Sequence, residues 1–221
     1  MSIPPWKPLL HKALACIDTL AERDMKAKWS FGGGTAMMMT YSHRESKDID
    51  IFITDPQLIG YLSPRLHDDI QAITDCTGYD EQATVLKLIL DRGEIDFIVA
   101  ASLTRHPFED WKFEGRKIVR ERPIEIVAKK VFYRAVDFRV RDVFDLACLL
   151  EREPEEIAKE EGLFFAKRDV IVVRLEAMRK TYKEQAKQLI AIKPGFEKLR
   201  DEAIDRVLEF YRPAAPPISA K

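Results

Sequence analysis

Two short segments that alternate acidic and apolar residues constrain the fold of this chain more than any other feature. The first, residues 48–53, reads DIDIFI, and the second, residues 94–99, reads EIDFIV. Successive side chains of a β-strand point to opposite faces, so each segment predicts a strand with one acidic and one apolar face. The apolar faces must lie against a core, which requires a sheet.

The remaining pattern predicts a mixed α/β first half and an all-helical second half. In the first half we expect helices over 5–27, 35–41 and 56–74, and strands over 28–31, 84–90 and 111–120. Ser63 and Pro64 are typical of an N-cap and a first helical position, so the third helix should restart there. After Pro123 the helical segments are 123–136, 141–151, 154–160, 168–191 and 195–211.

The change of pattern near Pro123 predicts the domain organisation. We expect an α/β domain over residues 1–122 and a helical domain over 123–212. Residues 213–221 are rich in Pro and Ala and are expected to be a disordered tail.

Composition excludes several classes of protein. Of the 221 residues, 46% are hydrophobic and 33% charged, with a formal net charge of −1, which is typical of a globular chain rather than a disordered one. A net charge near zero also argues against a protein that binds nucleic acid over its whole surface. Residues 116–141 nevertheless hold nine Lys and Arg against three acids. Three widely spaced cysteines form no disulfide or zinc pattern. No apolar run matches a signal peptide or membrane span, so we expect a cytoplasmic protein without membrane contact.

A run of glycines is the first candidate for chemistry. Residues 31–38 read FGGGTAMM, which sets three glycines between a short strand and a helix. Glycine lets the backbone approach a ligand closely, and the free N–H groups of a helix start favour a bound phosphate. The segment is neither a Walker A loop nor a GxGxxG motif, and an ordinary strand-to-helix turn remains an alternative.

The acidic strand faces are the second candidate. Asp48 and Asp50 are two residues apart, so on a strand both point to the same face. Like charges placed so close repel, and a divalent cation such as Mg²⁺ or Mn²⁺ relieves the repulsion. If the second strand lies beside the first, Asp96 completes a cluster of three carboxylates able to bridge two metal ions. Each acid taken alone could equally be a solvated residue at a strand edge.

Together these motifs resemble the nucleotidyltransferase superfamily of DNA polymerase beta. The resemblance rests on GGT at 33–35, RESKDID at 44–50 and a later strand that carries Asp96. Two further segments, AKK at 128–130 and RDVFDL at 141–146, resemble the AbiEii-type toxin branch more closely. The resemblance implies an α+β fold in which a nucleotidyltransferase-like mixed β-sheet with flanking helices precedes an α-helical bundle. Gly32 is an extra glycine before the family's pair.

The resemblance also implies a metal-dependent nucleotidyl transfer from a nucleoside triphosphate (NTP) to a hydroxyl. Gly33, Gly34 and Thr35 would hold the β- and γ-phosphates. Asp48 and Asp50 would hold the metal that bridges the phosphates. The role of Asp96 would be to bind a second metal and to help deprotonate the acceptor hydroxyl.

Four more residues acquire expected roles by the same resemblance. Lys130 would contact the triphosphate, with a solvated helix lysine as the alternative. Asp145 would orient Lys130 or take part in nucleotide binding, with an internal salt bridge to an arginine as the alternative. Ser46 is either a phosphate contact or a cap before the strand. Arg44 is either a phosphate contact or a surface partner of Glu45.

Three functional interpretations remain open at this point. The leading one is the toxin of a toxin–antitoxin or abortive-infection system that modifies RNA, such as the 3′ end of tRNA, and has a cognate antitoxin. A second keeps the chemistry but transfers the nucleotide to a small molecule or a protein. A third is a non-catalytic nucleotidyltransferase-fold module that acts by binding, which three mutually repelling acids argue against.

Overall fold

A computed structural model describes residues 3–212 and contains one seven-stranded sheet. In chain order its strands are β1 (Trp29–Gly32), β2 (Ile49–Ile53), β3 (Gly78–Glu81), β4 (Val85–Leu90), β5 (Gly93–Val99), β6 (Phe108–Phe113) and β7 (Arg116–Glu121). They lie in the order β3-β4-β5-β2-β1-β7-β6. The predicted disordered tail over 213–221 lies outside the described residues.

The centre of the sheet is formed by the two strands that alternate acidic and apolar residues. β2 runs parallel to β5 on one side and antiparallel to β1 on the other. β1 in turn runs parallel to β7, while the outer pairs are antiparallel, so the sheet is mixed. Ile49, Ile51 and Ile53 are fully buried and the residues between them are not, which confirms the period-two prediction.

Helices before residue 75 flank this sheet. They are α1 (Trp6–Glu22), α2 (Gly33–Tyr41), α3 (Leu58–Tyr61) and α4 (Asp68–Thr74). α1 packs on β2 and β5, and its apolar stripe includes the buried Leu10, Ala13 and Leu20. α2 packs on β1, β2 and β7. Burial of these apolar faces is the main driving force for forming the sheet.

Between Pro123 and Arg212 the chain is mainly helical. The remaining helices are α5 (Pro123–Tyr133), α6 (Val140–Arg152), α7 (Pro154–Lys159), α8 (Glu161–Phe165), α9 (Arg168–Leu189) and α10 (Glu197–Phe210). α6 packs against α9 and α10, which pack on each other. The expected α+β class, a mixed sheet with flanking helices followed by a helical bundle, is therefore confirmed.

The chain forms two compact units, Met1–Ile126 and Val127–Lys221. The division of function between domains over 1–122 and 123–212 stays a prediction. Within residues 3–212, no helix combines the length and the apolar character needed to cross a membrane.

Two local predictions were wrong, and two short elements were missed. Residues 111–120 do not form one strand, because Glu114 and Gly115 both have positive φ (50° and 87°) and make the two-residue turn between β6 and β7. No helix restarts at Ser63, whose hydroxyl instead donates to Glu81 Oε2 at 2.5 Å; α4 begins at Asp68. The short elements β3 and α8 were not predicted.

Candidate active site

Asp50 and Asp96 lie directly opposite each other at the centre of the sheet. They are register partners in the parallel pair β2–β5, whose neighbouring strands are about 4.8 Å apart. Both therefore project from the same face, opposite to the face that buries Ile49 and Ile95. Parallel pairing of the two acidic segments brings together carboxylates that are 46 positions apart in the sequence.

Asp48 reaches this cluster by a different route from the predicted one. It precedes β2, which begins at Ile49, so strand alternation does not fix its direction. Its Oδ1 instead accepts a hydrogen bond of 3.1 Å from the backbone N–H of Glu94 at the start of β5. A Cβ on Gly93 would lie 2.9 Å from this oxygen, so the turn before β5 needs its glycine for Asp48 to approach. This hydrogen bond joins Asp48 to β5, the strand that carries Asp96.

The glycines of the turn make room for the site's own side chains. Gly33 has φ +68°, and a Cβ there would lie 1.8 Å from Asp50 Oδ2. At Gly34, a Cβ would lie 2.7 Å from Arg44 Nη2 and 3.0 Å from Ser46 Oγ. At the start of α2, Gly33 is therefore required by its positive φ and by close approach, whereas the atoms nearest Gly34 are the ends of side chains.

Gly32 is explained by a buried acid that the sequence analysis missed. A Cβ at Gly32 would lie 2.4 Å from Oε2 of Glu121, a residue with no exposed surface. The other oxygen, Glu121 Oε1, accepts a 3.0 Å hydrogen bond from the Ser30 hydroxyl. The extra glycine is therefore needed for β1 and β7 to hold this carboxylate between them.

The polar residues near the glycine turn have contacts within the chain. The Thr35 hydroxyl is buried and donates to the Asp48 carbonyl at 2.6 Å, so it fixes the loop before β2. Arg44 is buried rather than on the surface, and its guanidinium donates to the Glu45 carbonyl at 3.2 Å. Phosphate contacts by Thr35, Ser46 and Arg44 stay predictions.

Asp96 has a cationic neighbour, Lys87, that the sequence analysis also missed. Lys87 lies opposite Asp96 in the β4–β5 hairpin, and its Nζ is 3.2 Å from both carboxylate oxygens. The same Nζ also hydrogen-bonds the Glu94 carboxylate. Burial raises the pKa of Asp96 and Lys87 opposes that rise, and the resulting pKa stays above its ordinary value. Burial lowers the pKa of Lys87, but the Glu94 and Asp96 carboxylates outweigh it and raise the pKa overall.

The acids fit a divalent cation in their chemistry, although they are not gathered around one. Carboxylate oxygens are the ligands that Mg²⁺ and Mn²⁺ prefer, and Asp96 Oδ1 is buried without a hydrogen bond from any of residues 3–212. Within the described residues, no three His, Cys, Asp or Glu side chains converge closely enough to hold a metal ion. Asp48 Oδ1 accepts a hydrogen bond from the Glu94 N–H, and Asp96 Oδ2 accepts one from Lys87.

Lys130 lies in a buried ion-pair network of the helical unit. Its Nζ is 2.9 Å from Asp142 Oδ1 and 2.5 Å from Asp145 Oδ2, and both acids are buried. Lys130 is therefore not a solvated helix lysine. Asp145 contacts Lys130, as one of the expected roles requires.

The basic segment 116–141 is less positive in the structure than in the sequence. Its cations pair with acids from elsewhere in the chain: Arg116 with Asp18 and Arg120 with Glu109, at 2.7 and 2.8 Å. Lys130 pairs with acids of α6 that also lie outside the segment. The local excess of cations is therefore weak support for an RNA-binding face.

Comparison with known protein families decides the identity of the chain. The family described as nucleotidyl transferase AbiEii toxin, type IV TA system, matches residues 16–215. The chain belongs to the AbiEii family of nucleotidyl transferase toxins. The matched residues include the glycine turn, the three acids and the helices that carry Lys130 and Asp145. The match confirms the resemblance identified from the sequence. No curated protein matches the sequence.

Solved structures of other proteins are similar to this chain at low sequence identity. JHP933 from Helicobacter pylori is similar over 92% of this chain and 93% of its own, with 13% identity and a TM-score of 0.50. The antibiotic-resistance factor ANT(2'')-Ia covers 80% of this chain and 96% of its own, with 18% identity and a TM-score of 0.47. The lincosamide antibiotic adenylyltransferase LnuA covers 63% and 94%, with 15% identity and a TM-score of 0.40.

Proposed function

We propose that this AbiEii-family chain transfers a nucleotide from an NTP to an RNA hydroxyl, with the 3′ end of tRNA as the specific acceptor. The observation that carries the proposal is the pairing of Asp50 with Asp96 across β2 and β5, beside Asp48 and directly next to the glycine turn. Acids on one sheet face beside a free helix start suit a triphosphate that arrives with a cation.

The proposed reaction needs few groups. The acceptor oxygen attacks the α-phosphorus, the bond from that phosphorus to the bridging oxygen of the β-phosphate breaks, and pyrophosphate leaves. Asp96 takes the proton of the attacking hydroxyl. Backbone N–H groups of Gly33 and Gly34 would orient the β- and γ-phosphates, with Thr35 and Ser46 as further contacts. Positioning and charge neutralisation then account for most of the rate.

Asp48, Asp50 and Asp96 are the residues that would hold Mg²⁺ or Mn²⁺. Such a cation neutralises phosphate charge in the transition state. Before any cation binds, the Glu94 N–H holds Asp48, and the absence of a Cβ on Gly33 leaves room for Asp50. In the helical unit, we propose Lys130 as a triphosphate contact that Asp142 and Asp145 hold in one orientation.

The family supports the choice of acceptor and of partner. A toxin that acts by nucleotidyl transfer needs an essential cellular acceptor, and tRNA is shared by every translated message. A cognate antitoxin is the expected protein partner, because the matched family is described as part of a toxin–antitoxin system.

The decisive assay is transfer of label from α-³²P-labelled NTPs to total RNA, in the presence of Mg²⁺, resolved on a gel. We expect label in RNA of tRNA size, and no label with Asp50→Asn. Asp110→Asn is the matched control, since Asp110 is an 81% exposed strand acid far along the same sheet. Chelation of the metal should also abolish labelling.

Other outcomes assign other functions. Label in a small molecule or a protein would reject the RNA acceptor and keep the chemistry. Absence of label from every acceptor, with a folded wild-type chain, would reject the enzyme and favour a binding module. Growth inhibition that persists in Asp50→Asn would contradict the proposed mechanism of toxicity.

A further inference from the structure

Lys87 is a charged residue of the acidic face that the proposed reaction leaves without a role. It lies on β4, outside every motif of the sequence, and its side chain is 31% exposed. Its ammonium is within 3.2 Å of both oxygens of Asp96 and also contacts Glu94. A cation that is part of the chain thus already occupies the third carboxylate of the site.

An ammonium in this position and a divalent ion cannot both use Asp96 without cost. The two cations repel at such short range, and the ammonium donates to Asp96 Oδ2, one of the two oxygens that a metal could use. We propose that Lys87 competes with a divalent cation for Asp96 and thereby sets how tightly the second ion of the site binds. This inference rests on the proposed function, because it assigns a controlling residue to the same metal site.

Glu94 gives Lys87 a second partner when a divalent ion replaces it at Asp96. Its side chain contacts Lys87 and its backbone N–H holds Asp48, so one residue connects the lysine to the first of the acids. When a divalent ion occupies Asp96, Lys87 keeps the Glu94 carboxylate as a partner and is not left unpaired. The lysine can therefore release Asp96 without leaving the site. Lys87 acts through Asp96 and is a positioning residue rather than a catalytic one.

The test is a Mn²⁺ titration of the full chain with saturating inorganic triphosphate, in which electron paramagnetic resonance counts free Mn²⁺. Inorganic triphosphate supplies the phosphate oxygens without a choice of base. In Lys87→Met the second Mn²⁺ should bind about tenfold more tightly or better than in wild type. Affinity for the first ion should change by no more than about twofold, because Asp48 and Asp50 are untouched. Lys87→Arg keeps the positive charge, so the second Mn²⁺ should bind as weakly as it does in wild type.

Lys112→Met is the matched control, since Lys112 is an exposed lysine on β6, at the opposite edge of the same sheet. It should titrate as wild type does. If Lys87→Met does not fold, judged by its thermal melt, Lys87→Gln replaces it. A second ion that binds equally or less tightly without Lys87 would overturn this inference alone. Failure of wild type to bind any Mn²⁺ beyond that chelated by triphosphate would overturn both the inference and the proposed function.

Discussion

Substitution of Gly33 by alanine tests whether the glycine turn exists to seat Asp50. An L-residue in the left-handed conformation of Gly33 costs about 1–2 kcal/mol. The new methyl group would also lie 1.8 Å from Asp50 Oδ2 and 2.7 Å from Asp50 Cβ. Rotation of the side chain can move the oxygen but not Cβ, so the backbone of β1 or β2 must shift, which adds about 1–3 kcal/mol.

Gly115 offers a control for the backbone component. It has φ +87° in the β6–β7 turn of the same unit, and an added Cβ would meet nothing within 4 Å. Gly115→Ala should therefore lose only the conformational component of stability. The free energy of unfolding of Gly33→Ala should be lower than that of Gly115→Ala by about 1–3 kcal/mol. For a chain of this size that difference corresponds to roughly 2–4 °C in Tm for each kcal/mol.

The assay combines thermal melts of the two variants with the RNA-labelling reaction. Displacement of Asp50 by about an ångström should reduce labelling by about 100-fold in Gly33→Ala, while Gly115→Ala should label as wild type does. Equal melting temperatures for the two variants, or full labelling by Gly33→Ala, would refute the argument that close approach to Asp50 requires this glycine.

Three further perturbations have signs and sizes that follow from the structure. Lys130→Met should lower the free energy of unfolding by about 3–5 kcal/mol in urea melts, because it removes the buried cation that both carboxylates contact. Adding Asp142→Asn to that variant should recover part of the loss but no labelling, and full recovery of labelling would exclude a nucleotide contact by Lys130. Glu125→Gln should lower the free energy of unfolding by about 1–3 kcal/mol. It should also speed hydrogen exchange of residues 103–104, whose N–H groups donate hydrogen bonds to the buried carboxylate, and unchanged exchange would contradict this. Arg65 holds the pKa of Glu81 below its ordinary 4.5, so the ionised form stabilises the fold above that pH and the gain is lost as pH falls through the lower folded-state pKa. Glu81→Gln should therefore flatten the dependence of Tm on pH below about 4.5, and an unaltered slope would show that the pair does not stabilise the fold.

The central strands could be predicted from sequence because their signal is local. Alternation over six residues identifies the apolar face of β2, and burial of every second residue agrees with it. β3 lacks that signal, since its four residues, GYDE, are polar and exposed or half-buried. It forms because β4 offers it hydrogen-bonding groups, an effect of tertiary structure that no local pattern encodes.

The glycine turn was recognised from the sequence, but one physical reason for its glycines was missed. From the sequence, consecutive glycines indicate a backbone that approaches a ligand. In the structure, the space at Gly33 and Gly34 is taken by Asp50, Arg44 and Ser46, which follow 10 to 17 residues later in the chain. The sequence cannot distinguish a glycine that admits a ligand from one that admits a side chain, because both remove the same Cβ. Only the folded arrangement identifies which group fills the space.

Lys87, in contrast, was within reach of sequence reasoning. A two-residue turn at 91–92 closes the β4–β5 hairpin with Leu90 paired to Gly93, and counting three residues back along both strands pairs Lys87 with Asp96. In an antiparallel pair, directly opposed residues share a face, so a lysine four positions before the turn must flank the acid four positions after it. Lys87 belongs to no sequence motif, and a motif search therefore passes over it. Hairpin register alone assigns a cation to the third carboxylate of the site, and any cluster of acids built on such a hairpin should be checked for an intrinsic counter-ion before metal ions are counted.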